Sequence, residues 1–364
     1  MLRRKEIKSL LSTVLLLVCL AGCKQPEALY MRRTAIFFDY FDTAIQLIAE
    51  VKFEEEFKYY AEMAEERFAG LHCLFDIYNT YPGINNIRTI NDNAGGEKVT
   101  VDKEIISLLC LAVEGYHFSS GLVDITLGPV LSLWHDLRRK AAVEPSHAML
   151  PDFGDLSSAY LLRGMEDIII DTESHTVHLI RPGMSLDVGS VAKGYATELV
   201  AEMLYENGLH NFLIDAGGNV CSYGKPLSTD KQYWSIGLQS PLQGSYNIMT
   251  HADIIDVVYT QRESVVSSGG YIRFYEVDDV RYHHIIDPRT LYPADGCLAT
   301  TVITSSSAYA DLFSTITFLL SPQEAFALAE ELSFALLIVL PDGSVQTNTA
   351  MVKYLQSKGA TPNP

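Results

Sequence analysis

The sequence predicts an α+β fold in one large domain, with antiparallel or mixed sheets and packed helices. Three observations carry this: apolar periods of three to four residues in a few segments, paired β-like runs joined by polar turns, and the clustering of these elements in place of strict βαβ alternation. The Rossmann glycine fingerprint is absent. With 364 residues, 48% hydrophobic and 20% charged, the chain can bury a sizeable core.

The N-terminus stands apart from that core. Arg3, Arg4, Lys5 and Lys8 precede the apolar run Leu10 to Leu20, which is too short to span a bilayer comfortably and reads as a secretory signal. It ends in Leu20-Ala21-Gly22-Cys23, which resembles a bacterial lipobox. Cys23 is then expected to carry lipid and tie the chain to the outer, extracytoplasmic side of a bacterial membrane, each buried CH₂ contributing about 0.8 kcal/mol. The expected organisation is a signal over 1–22, a tether over 23–34 and the folded domain over 35–364. Losing the signal removes four basic residues and Glu6, so the formal charge moves from −18 to −21. Such an acidic chain repels phosphate backbones, and nucleic acid is not an expected partner.

Phe53, Phe57, Tyr60, Ala64, Phe68 and Leu71 recur at helical steps behind Glu54 to Glu56, which marks a first helix. Ile105, Ile106, Leu109, Ala112, Val113 and Tyr116 mark a second. A third runs from about Val191 to Asn207 and stops at Gly208. Ile168 to Asp171 with Thr176 to Ile180, and Tyr271 to Val277 with Val280 to Ile286, read as hairpins. Further strands are expected at Asn211 to Ile214, Trp234 to Gln239, Ile254 to Thr260, Ala299 to Thr304 and Ala335 to Leu340. Cys73, Cys110, Cys221 and Cys297 lack a metal-ligand spacing, and their pattern assigns no disulfide.

Five segments could carry chemistry. In Gly121 to Pro129, Asp124 either caps a turn or accepts hydrogen bonds from a ligand. Asp187 to Tyr195 leads into the third helix, whose N-terminus suits a pyrophosphate; the alternative is a helix start capped by Asp187 or Ser190, with Lys193 in solvent. Asp215 to Asn219 reads as a turn that also lets backbone approach a flat ligand. In Ser267 to Thr290, strand alternation turns His283 and His284 to opposite sides, one of them toward solvent, and a histidine there could serve as a base. Asp311 and Thr315 share one face of a later helix. Their sparse oxygen pair suits Mg²⁺, while the plain alternative is a dipole-complementing acid and a packed threonine.

In order and spacing these segments, with Phe41-Asp42-Thr43, Tyr78-Asn79, Asn91, Gly217-Gly218-Asn219 and Ser267 to Tyr271, resemble the ApbE-like FAD:protein FMN transferases over about Tyr40 to Leu340. The resemblance implies a T-fold-like α+β domain that uses Mg²⁺ to split FAD. It passes FMN to a threonine hydroxyl of an acceptor protein, such as a subunit of a membrane redox complex, and releases AMP. Asp311, Thr315, the Ala192 carbonyl and Ser314 match its metal-binding positions. Phe41, Tyr78 or Asn79, Leu122, Val123, Asp124, Gly189, Tyr195 and Ile286 match its FAD contacts, and His284 its base. Leu291 and Asp42 replace family glycines, and Gly270 replaces an acidic or polar residue. An Asn near the flavin leaves an FAD pyrophosphatase as the alternative, and a non-catalytic flavin-binding lipoprotein is the third reading.

Overall fold

The structure, a computed structural model, describes residues 29–242, 254–271 and 273–363. The expected signal and Cys23 lie outside the described residues. The chain first forms an antiparallel hairpin of β1 (Met31–Tyr40) and β2 (Thr43–Val51), which the sequence pattern did not reveal. β1 reaches back over 31–34, four positions of the expected tether. Phe41 and Asp42 make the turn, each with φ of 53°, the positive-φ conformation that two-residue hairpin turns demand.

Helix α1 (Glu54–Phe75) buries Phe57, Tyr60, Ala64, Phe68 and Leu71 as its period requires, whereas Phe53 sits before the first turn and is exposed. A short α2 (Ile87–Asp92) starts at the capping box of Asn86 and Thr89. After β3 (Val99–Thr100), α3 (Lys103–Phe118) is N-capped by Asp102 and buries Ile105, Ile106, Leu109 and Ala112. Then come α4 (Gly128–Val143), started by Pro129, and α5 (Phe153–Tyr160). The expected hairpin β4 (Ile168–Asp171) and β5 (Thr176–Leu179) forms, with β3 on the far side of β5.

Helix α6 (Ala192–Glu206) ends at Asn207, with Gly208 at φ 103°. β6 (Phe212–Ala216) and β7 (Asn219–Tyr223) are joined by Gly217 and Gly218. A Cβ on Gly217 would stand 2.1 Å from Thr43 Oγ1, so only glycine fits there. β8 (Trp234–Gln239) and β9 (Ile254–Thr260) keep the expected bounds. β10 (Ser264–Gly269) was not anticipated. The second hairpin is shorter than expected, with β11 (Phe274–Val277) and β12 (Val280–His283) turned by Asp278 and Asp279 at positive φ. The remainder is β13 (Ala299–Thr304), α7 (Ser307–Leu319), α8 (Pro322–Glu331), β14 (Ala335–Val339), β15 (Val345–Thr347) and α9 (Thr349–Val352).

Eight strands pair in the order β1-β2-β6-β7-β10-β13-β14-β15, and each neighbouring pair is antiparallel. The architecture is therefore α+β as expected, and the strand pairs among the described residues are antiparallel. Side chains alternate across this sheet. Ile214, Val302, Leu336 and Ile338 meet helices α1, α3, α6 and α7 in the main core. Leu213, Ile303, Leu337 and Val339 face the other way, onto Trp234, Leu238 and Val258 of the β8–β9 ribbon. A third cluster joins α4 and α5 to the β11–β12 hairpin around Trp134, whose indole N–H donates to the Leu291 carbonyl at 3.0 Å. That third unit brings α4 and the chain after β12 over the start of α6. No helix among the described residues is long and apolar enough to cross a membrane.

Candidate active site

Asp311 lies where α7 meets α6. A Cβ on Gly194 would stand 2.4 Å from the Asp311 Cβ and 2.5 Å from the Ser307 carbonyl oxygen. The two helices approach this closely only because Gly194 has no side chain. The buried Asp311 carboxylate accepts from the Gly194 N–H at 2.8 Å and from the Lys193 ammonium at 3.2 Å. Lys193 is thus an ion-pair partner, not a solvated side chain. Nor do Asp187 and Ser190 cap α6: its N-cap is Val191, and Asp187 Oδ1 accepts from Gly189 N–H at 2.9 Å. Gly189 itself is exposed.

Thr315, one turn after Asp311, stays half-buried and places its hydroxyl 3.3 Å from the Asp311 carbonyl. Ser314 is fully buried, with its hydroxyl bonded to Ser268 at 2.7 Å and to the Asp311 carbonyl at 2.8 Å. It has less freedom to ligate than Thr315. Ala192 opens the first turn of α6, two residues before the glycine that touches Asp311. The donor set fits a hard cation that keeps most of its water: its donors are oxygens, Asp311 already holds one cation in Lys193, and no cluster of three His, Cys, Asp or Glu exists among the described residues. The Asn219 amide nitrogen beside Gly194 is buried without a partner there, a further polar group left to serve this junction.

Lys193 is near enough to His284 for its charge to be felt there. The His284 Nδ1 lies 3.2 Å from the Arg273 carbonyl oxygen. A carbonyl only accepts, so Nδ1 carries the hydrogen and Nε2 keeps its lone pair. Burial, then the charges of Arg273, His283, Arg138 and Lys193, hold this imidazole well below the ordinary histidine range. His283 points the other way, as alternation requires, but not into solvent. Its Nε2 donates to the Ala294 carbonyl at 2.7 Å, its Nδ1 accepts from Ile285 N–H, and its ring meets Phe318 edge-on.

Phe41, at the β1–β2 turn, packs edge-on to His72 and Phe68, and a tilted row continues through Phe75 to Tyr195. A cavity of about 520 Å³ opens beside this turn, lined by Asp42, His72, Asp76, Tyr78 and Asn79 among others. Tyr78, not Asn79, presents its side chain to α4: its hydroxyl is 2.7 Å from His135 Nδ1, whereas the Asn79 amide donates to Asp76 at 2.9 Å. Tyr195 lines a second cavity of about 460 Å³ with Ser107 and Glu198. The structure therefore does not gather every expected flavin contact around one opening. The Asp124 side chain is fully buried, taking Thr126 N–H at 2.8 Å and the Arg163 guanidinium at 3.4 Å. The capping reading describes it, and Gly121, Leu122 and Pro129 stay half-buried around the buried core of that segment. Ile286 packs in the cluster around Trp134.

A model of the ApbE family matches residues 41–338. The chain belongs to the ApbE family. Among its relatives are FAD:protein FMN transferases of Klebsiella pneumoniae, 31% identical over 67% of this chain and 71% of that one, and of Treponema pallidum, 30% identical over 73% and 74%. A crystal structure of an ApbE protein from Thermotoga maritima superposes with a TM-score of 0.75 at 26% identity, covering 88% of this chain and 97% of that one. The Vibrio cholerae flavin transferase ApbE, at 19% identity and a TM-score of 0.72, shares the fold.

Leu291 and Asp42, read from the sequence as standing where glycine is expected, both hold positive φ, 66° and 53°, the backbone state glycine adopts freely. Gly270 is required because a Cβ there would stand 2.4 Å from the His283 ring. The four described cysteines, Cys73, Cys110, Cys221 and Cys297, are free thiols.

Three residues at this ApbE site carry no motif. His135 and Arg138 lie three apart on α4, and Arg273 precedes β11. His135 reaches Tyr78 and stands 4.0 Å from Asp187. The Arg273 guanidinium donates to the Phe41 and Asp42 carbonyls at 3.2 and 2.9 Å. The signal available for the α4 pair was a His and an Arg at one-turn spacing beside the apolar stripe of Val130 and Trp134, which Arg138 continues at i+4.

Proposed function

We propose that this chain transfers FMN from FAD to a hydroxyl of an acceptor protein, releasing AMP, with Mg²⁺ as cofactor. The names carried by its ApbE relatives support the transfer. The observation that carries it is Lys193, which is bonded to the buried Asp311 and whose charge also reaches His284, an imidazole held well below the ordinary histidine range. Asp311 and Thr315, with the Ala192 carbonyl, would hold Mg²⁺, which neutralises pyrophosphate charge when bound.

The chain's own groups divide the remaining work. Lys193 supplies a positive charge beside Asp311, and N–H groups at the start of α6 favour an anion. His284 Nε2 accepts the proton of the acceptor hydroxyl, a poor nucleophile at neutral pH that needs a base within about 3 Å. Tyr78 and the Phe41 turn offer aromatic surface to the flavin. We further propose threonine as the acceptor residue, membrane redox subunits as acceptors, and lipidation at Cys23 as the anchor on the extracytoplasmic side.

Incubating the protein with FAD, Mg²⁺ and an acceptor carrying a flavinylation segment tests the reading. Flavin fluorescence that stays with the acceptor in a denaturing gel is the expected result. Free FMN and AMP without labelled protein would make the chain an FAD pyrophosphatase. Intact FAD retained with or without metal would make it a flavin-binding lipoprotein.

A further inference from the structure

Arg138 is a charged group without a bonded partner among the described residues. Its neighbour Arg139 pairs with Asp136 at 2.6 Å, but Arg138, half-buried on the cleft side of α4, forms no ion pair and donates no hydrogen bond among the described residues. The groups that face it are Arg273, Tyr78, Asp42 and Asp187, and both burial and the Arg273 charge disfavour its charged form. Asp42 and Asp187 offset this without bonding to it, so a guanidinium half withdrawn from water beside a second one still lacks an anion in direct contact. The charge of Arg138 also reaches His284 and lowers its proton affinity, as do those of Arg273 and Lys193. In a chain of formal charge −18, these cations converge on the one imidazole poised to take a proton.

We propose that Arg138, backed by Arg273, binds the flavin-side phosphoryl group of FAD, opposite the Asp311–Lys193 centre. This rests on the transfer reading above. In that step the acceptor oxygen bonds to the flavin-side phosphorus while the bond from that phosphorus to the bridging oxygen breaks. The electron pair leaves with the AMP phosphate, and the hydroxyl proton goes to His284 Nε2. The planar guanidinium fork matches two phosphoryl oxygens at once, which a lysine ammonium does not. Arg273 has spent part of its donor set on the Phe41 and Asp42 carbonyls, so Arg138 is the freer member.

The test compares FMN with riboflavin, which share the ring and differ by the phosphate, using quenching of flavin fluorescence by the full chain without added metal. The unaltered protein should bind FMN at least about tenfold more tightly than riboflavin. Arg138→Gln should erase most of that difference while leaving riboflavin and AMP affinity as they were, and Arg138→Lys should restore part of it. Retained riboflavin binding also reports that the variant is folded. An unaltered protein with no preference for FMN overturns the proposal, as does an Arg138→Gln variant that keeps the preference. A variant with normal FMN affinity but a raised KM for the acceptor overturns it too, and assigns Arg138 to an acceptor carboxylate. Should the unaltered protein fail to label any acceptor, the transfer reading falls while the FMN-to-riboflavin ratio still decides this one.

Discussion

The Nδ1–H of His284 donates to the main-chain carbonyl of Arg273 across 3.2 Å. That bond fixes the tautomer and leaves Nε2 as the basic nitrogen. His284→Gln should therefore reduce FMN transfer by about 100-fold or more, with FAD affinity largely kept. Because burial and neighbouring cations hold the His284 pKa well below 6.5, the acidic limb of the rate profile should fall below that pH. A limb centred near 7 would mean that another group limits the rate.

Stability should follow acid in the same direction. His135, His283 and His284 are all depressed by burial first, opposed by Asp187 at His135 and by the Ala294 carbonyl and Asp295 at His283. For each, the unfolded chain binds a proton more readily than the folded one. The stability they contribute is thus complete above the unfolded value near 6.5 and is lost as pH falls toward the folded values. The unfolding temperature should drop between pH 7.5 and 5.5, and replacing His283 and His284 together by Gln should flatten that slope.

Asp311→Asn retains an acceptor for the Gly194 N–H but removes the charge that holds Lys193. Metal-stimulated turnover should fall by about 100-fold or more, while thermal unfolding stays cooperative. Unchanged stimulation by Mg²⁺ would detach Asp311 from the metal.

Gly194→Ala places a methyl group 2.4 Å from the Asp311 Cβ and 2.5 Å from a main-chain oxygen. Neither atom can rotate aside, so α6 and α7 must separate. The expected loss is about 1–3 kcal/mol in urea unfolding, accompanied by weaker Mg²⁺ dependence of FAD cleavage.

Leu291 sets backbone strain against packing. Its φ of 66° costs a non-glycine residue about 1–2 kcal/mol, yet its side chain is buried around Trp134, where removing a leucine costs about 2–5 kcal/mol. Packing outweighs strain. Leu291→Gly should lower stability, and a stabilised variant would show that relief of the strained backbone dominates.

Much of the fold was legible because its signals are local. α1, α3 and α6 announce themselves by apolar period, and β8, β9 and β13 by β-branched or alternating runs. The β1–β2 hairpin was not, since Phe41 and Asp42 hold positive φ without the glycine or asparagine that normally marks such a turn. β10 reads Ser-Val-Val-Ser-Ser-Gly, polar enough to pass for a loop until β7 and β13 pair with it. At the site, the one-turn relation of Asp311 and Thr315 lies in the spacing, but the Lys193 contact depends on how closely Gly194 lets two distant helices meet. His135, Arg138 and Arg273 gain meaning only when α4 and the segment before β11 come together.

Arg273 acts at two places at once. Its carbonyl orients the imidazole, and its guanidinium clasps the Phe41–Asp42 corner. Any rearrangement of that corner to admit a planar ring tugs on the same residue that aims the proton acceptor, so docking and deprotonation are geared together through a single side chain and its own peptide bond.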